Sequence, residues 1–297
     1  MPAERTYGSP KSFRQALTDR LKILAADGPW GLPELQRQIA YDRLLARLYL
    51  VDRDWIVKGA AALLARELGV RATIDIDLYR DTAVAAAERE LREAAAADLG
   101  DWFGFELGPS RSIRDGLDAK RVPIEALIGP TVWVSFHVDL VGAGMRMTGE
   151  PDEVPALARV GMPDVEQNGY RAYPLVDHIT DKIVATFGRY GSSGGPSTRY
   201  KDLVDLVAIA RGASVEASAQ MVALSSQVEM RGLTLPPRFE VPNRELWSGG
   251  YAAEARRSLL DAARTLEEAM EIVAPFVDPL LDGNAKGRWD PTKCAWC

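Results

Sequence analysis

Apolar and polar residues alternate strictly along Arg71-Ala72-Thr73-Ile74-Asp75-Ile76-Asp77-Leu78-Tyr79. Ala72, Ile74, Ile76 and Leu78 fall on one side, and Arg71, Thr73, Asp75, Asp77 and Tyr79 on the other. Successive side chains of a strand point to opposite faces, so the spacing predicts a strand with one apolar face. Its other face carries two carboxylates roughly 7 Å apart at about 3.4 Å rise per residue. The densest β signal is Thr131–Val141, rich in β-branched and aromatic residues, on which Ser135, His137 and Asp139 share a face. Shorter strands are predicted at Trp55–Val57, Trp102–Leu107 and Arg121–Leu127.

Elsewhere the period is helical. Apolar residues recur every three or four positions over Ser12–Ala26 and Leu35–Tyr49, with Gly28 and Gly31 between them. A helix over Ala60–Leu68 follows the turn at Gly59 and stops at Gly69, and Asp81 is the expected cap of an alanine-rich helix running to about Asp98. Gly142–Gly169, with three prolines, reads as connecting loop. Four further helices are expected at Val176–Arg189, Arg199–Arg211, Ser214–Met230 and Ala252 to about Val273, with Gly191–Gly195 a flexible loop. The pattern divides into N-terminal helices (1–50), an α/β core (51–170) and a larger C-terminal helical domain (171–297) with a flexible tail from about 283.

Composition narrows the function classes. A chain of 297 residues, 47% hydrophobic and 26% charged, has the balance of a folded globular protein. A net charge of −6 argues against a general polyanion binder, so RNA would have to meet a local basic face. No apolar run approaches the ~20 residues of a membrane span, and Met1–Arg5 lacks the apolar core of a signal peptide; a cytoplasmic location is expected, with no membrane partner. The only cysteines, Cys294 and Cys297, form a C-x-x-C without a second pair, and His137 and His178 are the only histidines, which argues against zinc or iron.

Two like charges on one strand face repel unless a cation lies between them. Mg²⁺, a hard ion that takes carboxylate oxygens and substrate phosphates, fits Asp75 and Asp77. If the Thr131–Val141 strand is a neighbour, Asp139 completes a three-acid cluster of the kind that holds two metal ions. A solvated strand face would carry the same acids without metal. Lys58-Gly59-Ala60-Ala61-Ala62-Leu63, between strand and helix, could let backbone N–H groups approach a phosphate. Lys182 and Arg189, seven apart on one helix face, could neutralise a triphosphate. Arg199, Asp202 and Asp205 recur at three-residue spacing on the next helix, where either acid could orient Lys182. Taken singly, each of these is equally an ordinary surface ion pair.

Together the order of features resembles the AbiEii-type nucleotidyltransferases, the toxin halves of type IV toxin–antitoxin systems, which include the mycobacterial MenT toxins. Gly59–Leu63 matches a G-G-x-A-L-like turn, and Arg71, Thr73, Asp75 and Asp77 match R-x-[ST]-x-D-x-D. Lys182, Ala185 and Arg189 match K-x-x-A-x-x-x-R, and Arg199, Asp202, Asp205 and Leu206 match R-x-x-D-x-x-D-L. The resemblance covers about residues 55–210, with one departure: Ala60 and Ala61 stand in place of the second glycine and a hydroxyl residue.

The resemblance implies a polymerase-β-like α/β core and Mg²⁺-dependent transfer of a nucleotide, often a pyrimidine, from NTP to the 3′ end of tRNA, which blocks aminoacylation. It implies a cognate antitoxin, and a phosphorylation target at Thr73 in some systems. In that reading Asp75 and Asp77 hold metal with Asp139, while Lys182, Arg71 and Arg189 neutralise the triphosphate. Lys58 and Gly59 cradle phosphate, and Asp202 or Asp205 positions Lys182. For RNA, six arginines between Arg231 and Arg264 are expected to offer charge, and Trp247 and Tyr251 stacking surfaces. The rival readings are a small-molecule or protein acceptor, and a binding scaffold of the same fold without catalysis.

Overall fold

The computed structural model describes residues 6–113, 118–190 and 194–297. The chain divides into two compact units: Met1–Arg66 with Ala72–Met145 and Glu153–Ala172, and Glu67–Arg71 with Arg146–Asp152 and Tyr173–Cys297. The described N-terminal helices belong to the same unit as the sheet.

The first unit opens with α1 (Pro10–Asp27) and α2 (Leu32–Val51). Ser9 and Ser12 form a capping box at α1, and Pro10 sits at its first position. Next come β1 (Ile56–Lys58), α3 (Gly59–Ala65), β2 (Asp75–Tyr79) and α4 (Val84–Ala95). Then β3 (Phe103–Leu107), β4 (Arg111–Ser112), β5 (Ala119–Ile128), β6 (Thr131–Val141), β7 (Asp152–Val154) and β8 (Tyr170–Ala172) complete the unit. These strands make one mixed sheet in the order β3-β5-β6-β2-β1-β8-β7, with β4 beside β5. β2 and β6 run parallel, and β5 and β1 run antiparallel to their neighbours β6 and β2. The helices cover one face: Ile76, Leu78, Val138 and Leu140 are fully buried there, in one core with Leu44, Leu48 and Leu91. The opposite face carries the acids.

Charged groups also lie inside this unit. Arg47 and Asp101 are both fully buried and pair at 2.8 Å, and Arg43 joins Asp101 at 2.6 Å. Asp42, also fully buried, accepts the N–H groups of Leu157 (2.9 Å) and Ala158 (2.8 Å) and the Tyr170 hydroxyl. It thereby ties the 153–172 segment to α2. Burial pushes the Asp42 carboxyl up to about 6, against these hydrogen bonds.

The second unit is mainly helical: α5 (Leu175–Phe187), the short pair β9 (Arg189–Tyr190) and β10 (Gly195–Pro196), then α6 (Tyr200–Gly212), α7 (Ala217–Arg231), α8 (Arg244–Arg256) and α9 (Leu266–Leu281). The hairpin of β11 (Trp289–Asp290) and β12 (Ala295–Trp296) ends the chain.

Several expectations change. Strand β2 starts at Asp75, because Thr73 Oγ1 bonds the carbonyl (2.8 Å) and the N–H (3.3 Å) of Asp75 and turns the chain there. Ile74 is therefore exposed rather than part of the apolar face. Asp81 takes the Tyr79 hydroxyl at 3.0 Å instead of capping α4, which begins three residues later. The helix expected from Ala252 to Val273 is two helices: Ala263 has a positive φ, and Thr265 with Glu268 forms a capping box that starts α9. The end of the chain is folded, since Trp289 is fully buried and its Nε1 donates to the Ala210 carbonyl at 2.7 Å. Of the loop predicted at 191–195, Gly191–Ser193 lie outside the described residues.

Candidate active site

On the face of the sheet opposite the one that α1, α2 and α4 pack against, strand register brings the acids together. Asp77 lies opposite Asp139 and Asp75 opposite His137 across the β2–β6 pair, while Lys58 lies opposite Asp77 on β1. On the far side of β6, Arg121 of β5 lies opposite Asp139. Arg121 forms a bidentate pair with Asp139, Nε to Oδ1 at 2.6 Å and Nη2 to Oδ2 at 2.5 Å, and its Nη2 is 3.5 Å from Asp75 Oδ2. His137 Nδ1 is 3.2 Å from Asp75 Oδ1. Hydrogen bonding to Asp139 outweighs desolvation at Arg121 and holds it firmly protonated.

Asp77 is fixed differently. Gly59, the first residue of α3, has φ +60°, and a Cβ built on it would lie 1.8 Å from Asp77 Oδ2. Glycine is required twice over, for the backbone conformation and for the carboxylate that occupies the space. The expected phosphate turn thus packs against the second acid. Ala60 and Ala61 are both buried, Ala61 fully, so their methyl groups belong to the packing of α3. Lys58 Nζ contacts Met145 Sδ.

The donor chemistry suits a hard divalent cation: Asp75 and Asp77 offer oxygen ligands on one face, and a guanidinium already lies against Asp75 as a counter-charge. Asp139 is committed to Arg121. Among the described residues no three His, Cys, Asp or Glu side chains converge as a ready-made metal cluster. Asp75 and Asp77 therefore fit as a pair.

A second constellation lies in the helical unit. Lys182 of α5 is buried, and its Nζ donates to Asp205 Oδ2 at 2.6 Å and Asp202 Oδ1 at 3.2 Å. Both acids of α6 hold the lysine. Arg71 closes on Asp205 through Nε (2.8 Å) and Nη2 (2.9 Å), and Arg199 Nε donates to Asp202 Oδ2 at 2.6 Å. Burial works to lower the Lys182 pKa, but Asp205 and Asp202 outweigh it and the net direction is up. Burial likewise works to raise Asp205, and Lys182 and Arg71 bring it below its ordinary value. Three cations face two carboxylates in this set. Arg199, immediately before α6, is its most exposed member at 53%.

Arg189 does not share a helical face with Lys182. Gly188 is extended and ends α5, and the Tyr190 hydroxyl takes over by donating to the Ala185 carbonyl at 3.1 Å. Arg189 is exposed on β9 and donates to the Gly194 carbonyl at 3.2 Å. Trp247 and Tyr251, expected as stacking surfaces, are fully buried and bond the carbonyls of Ser197 and Ala263. Arg121 is the site residue that sequence reasoning passed over. Its signal was the alternation Arg121-Val122-Pro123-Ile124-Glu125, which sets Arg121, Pro123 and Glu125 on the face of the acids.

The family model described as the nucleotidyl transferase AbiEii toxin of type IV toxin–antitoxin systems matches residues 43–272. Among solved structures the chain is similar to MenT4, a nucleotidyltransferase toxin from Mycobacterium tuberculosis, at 15% identity and a TM-score of 0.57, covering 94% of this chain and 93% of that one. It is also similar to JHP933 from Helicobacter pylori, at 15% identity and a TM-score of 0.48, covering 83% and 92%. No curated protein sequence matches the chain. The likeness to MenT4 is one of fold, and the family match spans most of the chain. The chain belongs to the AbiEii family of nucleotidyltransferase toxins of type IV toxin–antitoxin systems.

Proposed function

We propose that this nucleotidyltransferase transfers a nucleoside monophosphate, with a pyrimidine preferred, from NTP to the 3′ end of tRNA, in a Mg²⁺-dependent reaction that blocks aminoacylation. The observation that carries this reading is the pair Asp75 and Asp77 on one sheet face, with Asp77 seated over Gly59. In the reaction the terminal 3′-oxygen forms a bond to the α-phosphorus, the bond from that phosphorus to the bridging oxygen breaks, and pyrophosphate leaves with the electron pair. The hydroxyl proton passes to a carboxylate or to solvent.

Asp75 and Asp77 would hold Mg²⁺, which when bound supplies charge neutralisation at the phosphates. His137 and Arg121 fix the Asp75 carboxylate between them, so it is oriented before substrate arrives. Asp139 acts through Arg121, and adds a third oxygen donor where that guanidinium moves to a phosphate. Lys58 and the Arg199–Lys182 set supply positive charge for the triphosphate, with Asp202, Asp205 and Arg71 keeping Lys182 in place. Arg189 stands as an exposed cation available to substrate. The Thr73 hydroxyl, tied to the Asp75 backbone, suits control by phosphorylation: a group of charge near −2 there would break that tie and repel NTP. The proposed partners are NTP, tRNA and a cognate antitoxin, in the cytoplasm.

The test is an incorporation assay with purified protein, Mg²⁺, total tRNA and each labelled NTP in turn, with Asp75→Ala alongside. Label on tRNA from one or two pyrimidine nucleotides, lost in the variant by at least ~10²-fold, is expected. Label on a protein or small molecule alone overturns the tRNA reading, and full activity of Asp75→Ala overturns the site.

A further inference from the structure

Beside the acids, the same sheet face holds a cavity of about 530 Å³ that the reaction as described leaves unused. It lies where β3 ends: Gly108 turns away over Pro123, and a Cβ on that glycine would meet the proline ring at 2.9 Å. Its walls include Ile74, Pro123, Glu106, Glu125, Ser135 and His137. His137 joins it to the site, because the same imidazole bonds Asp75.

Two features set this cavity apart. Ile74 is 61% exposed although its chain neighbour Asp75 is half-buried. Glu106 and Glu125 face each other directly across the β3–β5 pair, and among the described residues neither side chain has a hydrogen-bond or ion-pair partner. Both glutamates are exposed to solvent, and like charges directly opposite on antiparallel strands are destabilising, so a ligand that donates to both would relieve the repulsion. Both features suit a flat apolar ligand with hydrogen-bond donors on its edge.

We propose that this cavity receives the unstacked terminal nucleoside of the acceptor RNA, and that Glu106 and Glu125 select a base carrying an exocyclic amino group, adenine or cytosine over uracil. The proposal rests on the RNA-acceptor reading above. Ile74 and Pro123 offer an apolar shelf for the base face, and carboxylates accept from the amino groups of adenine and cytosine, whereas uracil presents a carbonyl at that position. Charge favours a chain end over an internal nucleotide. An internal residue brings a phosphate on each side into an acidic pocket, and a 3′-terminal nucleoside brings one. With the base seated there, its 3′-oxygen is directed past His137 toward Asp75.

The experiment uses the full chain and three acceptor RNAs identical except for a terminal A, C or U, comparing the wild type with Glu106→Gln/Glu125→Gln. The readout is the single-turnover labelling rate at subsaturating RNA, with Mg·NTP affinity and thermal midpoint measured on both proteins. The wild type is expected to label A and C ends at least ~10-fold faster than the U end, and the double variant to lose that preference while keeping its NTP affinity and fold. Labelling that ignores the terminal base, or a preference unchanged in the variant, or an equal loss on all three ends, overturns the pocket and leaves the reaction standing. No labelling of any RNA by folded, NTP-binding wild-type protein overturns the acceptor reading and this proposal together.

Discussion

The molecule carries two clusters of opposite charges built to opposite specifications. On the sheet face, Arg121, Asp75 and Asp139 keep 29%, 27% and 16% of their side-chain surface. In the helical unit, Lys182, Asp202 and Asp205 keep 6%, 7% and 2%. Both contain close ion pairs, so a catalogue of ion pairs would treat them alike. Burial separates them. Water can replace a partner in the first cluster at small expense, so a cation or a phosphate can enter by exchange. In the second, removing a partner strands a charge away from water. The first is organised to trade partners, and the second to keep them.

Lys182→Ala breaks the buried cluster most severely. It leaves Asp202 and Asp205 with Arg199 and Arg71 alone, and the expected loss is about 3–5 kcal/mol of stability, read from urea denaturation. A loss below 1 kcal/mol would mean that this cluster too exchanges partners freely. Activity lost in this variant therefore needs a folding control before it speaks of catalysis.

Buried charge has a pH signature in the sheet unit as well. The Asp42 carboxyl is raised from 3.8 to about 6, so between these values the folded form holds a proton that the unfolded chain has released. Stability should fall as pH rises through that window, by up to ~3 kcal/mol, and be level in this respect above it. Asp42→Asn should remove that slope from the pH dependence of the denaturation midpoint; an unchanged slope would show that Asp42 is not the group responsible.

Gly59→Ala sharpens the contrast on the exposed side. The positive φ alone costs about 1–2 kcal/mol, and the new methyl displaces the Asp77 carboxylate. Nucleotide transfer should fall far more than the modest loss of stability suggests, in a paired activity and melting measurement. The smallest effect is expected from Arg199→Ala. This half-exposed arginine should change stability by less than ~1 kcal/mol while raising the KM for NTP, and an unchanged KM would remove it from the triphosphate role.

Much of this was legible in the chain, for reasons that differ by element. Thr131–Val141 was read to the residue because β-branched and aromatic content and alternation agreed over its whole length. The pairing of its Asp139 face with Asp75 and Asp77 followed once the two strands were neighbours. What local pattern cannot carry is which partner satisfies a charge. Arg121 lies eighteen residues from Asp139 along the chain, and only strand register makes them a pair. The apolar period likewise ran on through Gly188 and Arg257–Thr265, where a glycine ends one helix and a capping box starts a new one that periodicity alone would merge with the last. Trp247 and Tyr251 looked like stacking surfaces because sequence gives an aromatic's chemistry and not its depth.

The central claim, that the Asp75–Asp77 face is where a divalent cation and nucleotide enter, is tested most directly by titrating Mn²⁺ into the protein and following bound metal by electron paramagnetic resonance. The account predicts saturable binding by the wild type, weakened at least ~10-fold in Asp75→Asn, with the thermal midpoint held and with Arg199→Ala binding Mn²⁺ as the wild type does. Equal Mn²⁺ affinity in the wild type and Asp75→Asn would contradict it.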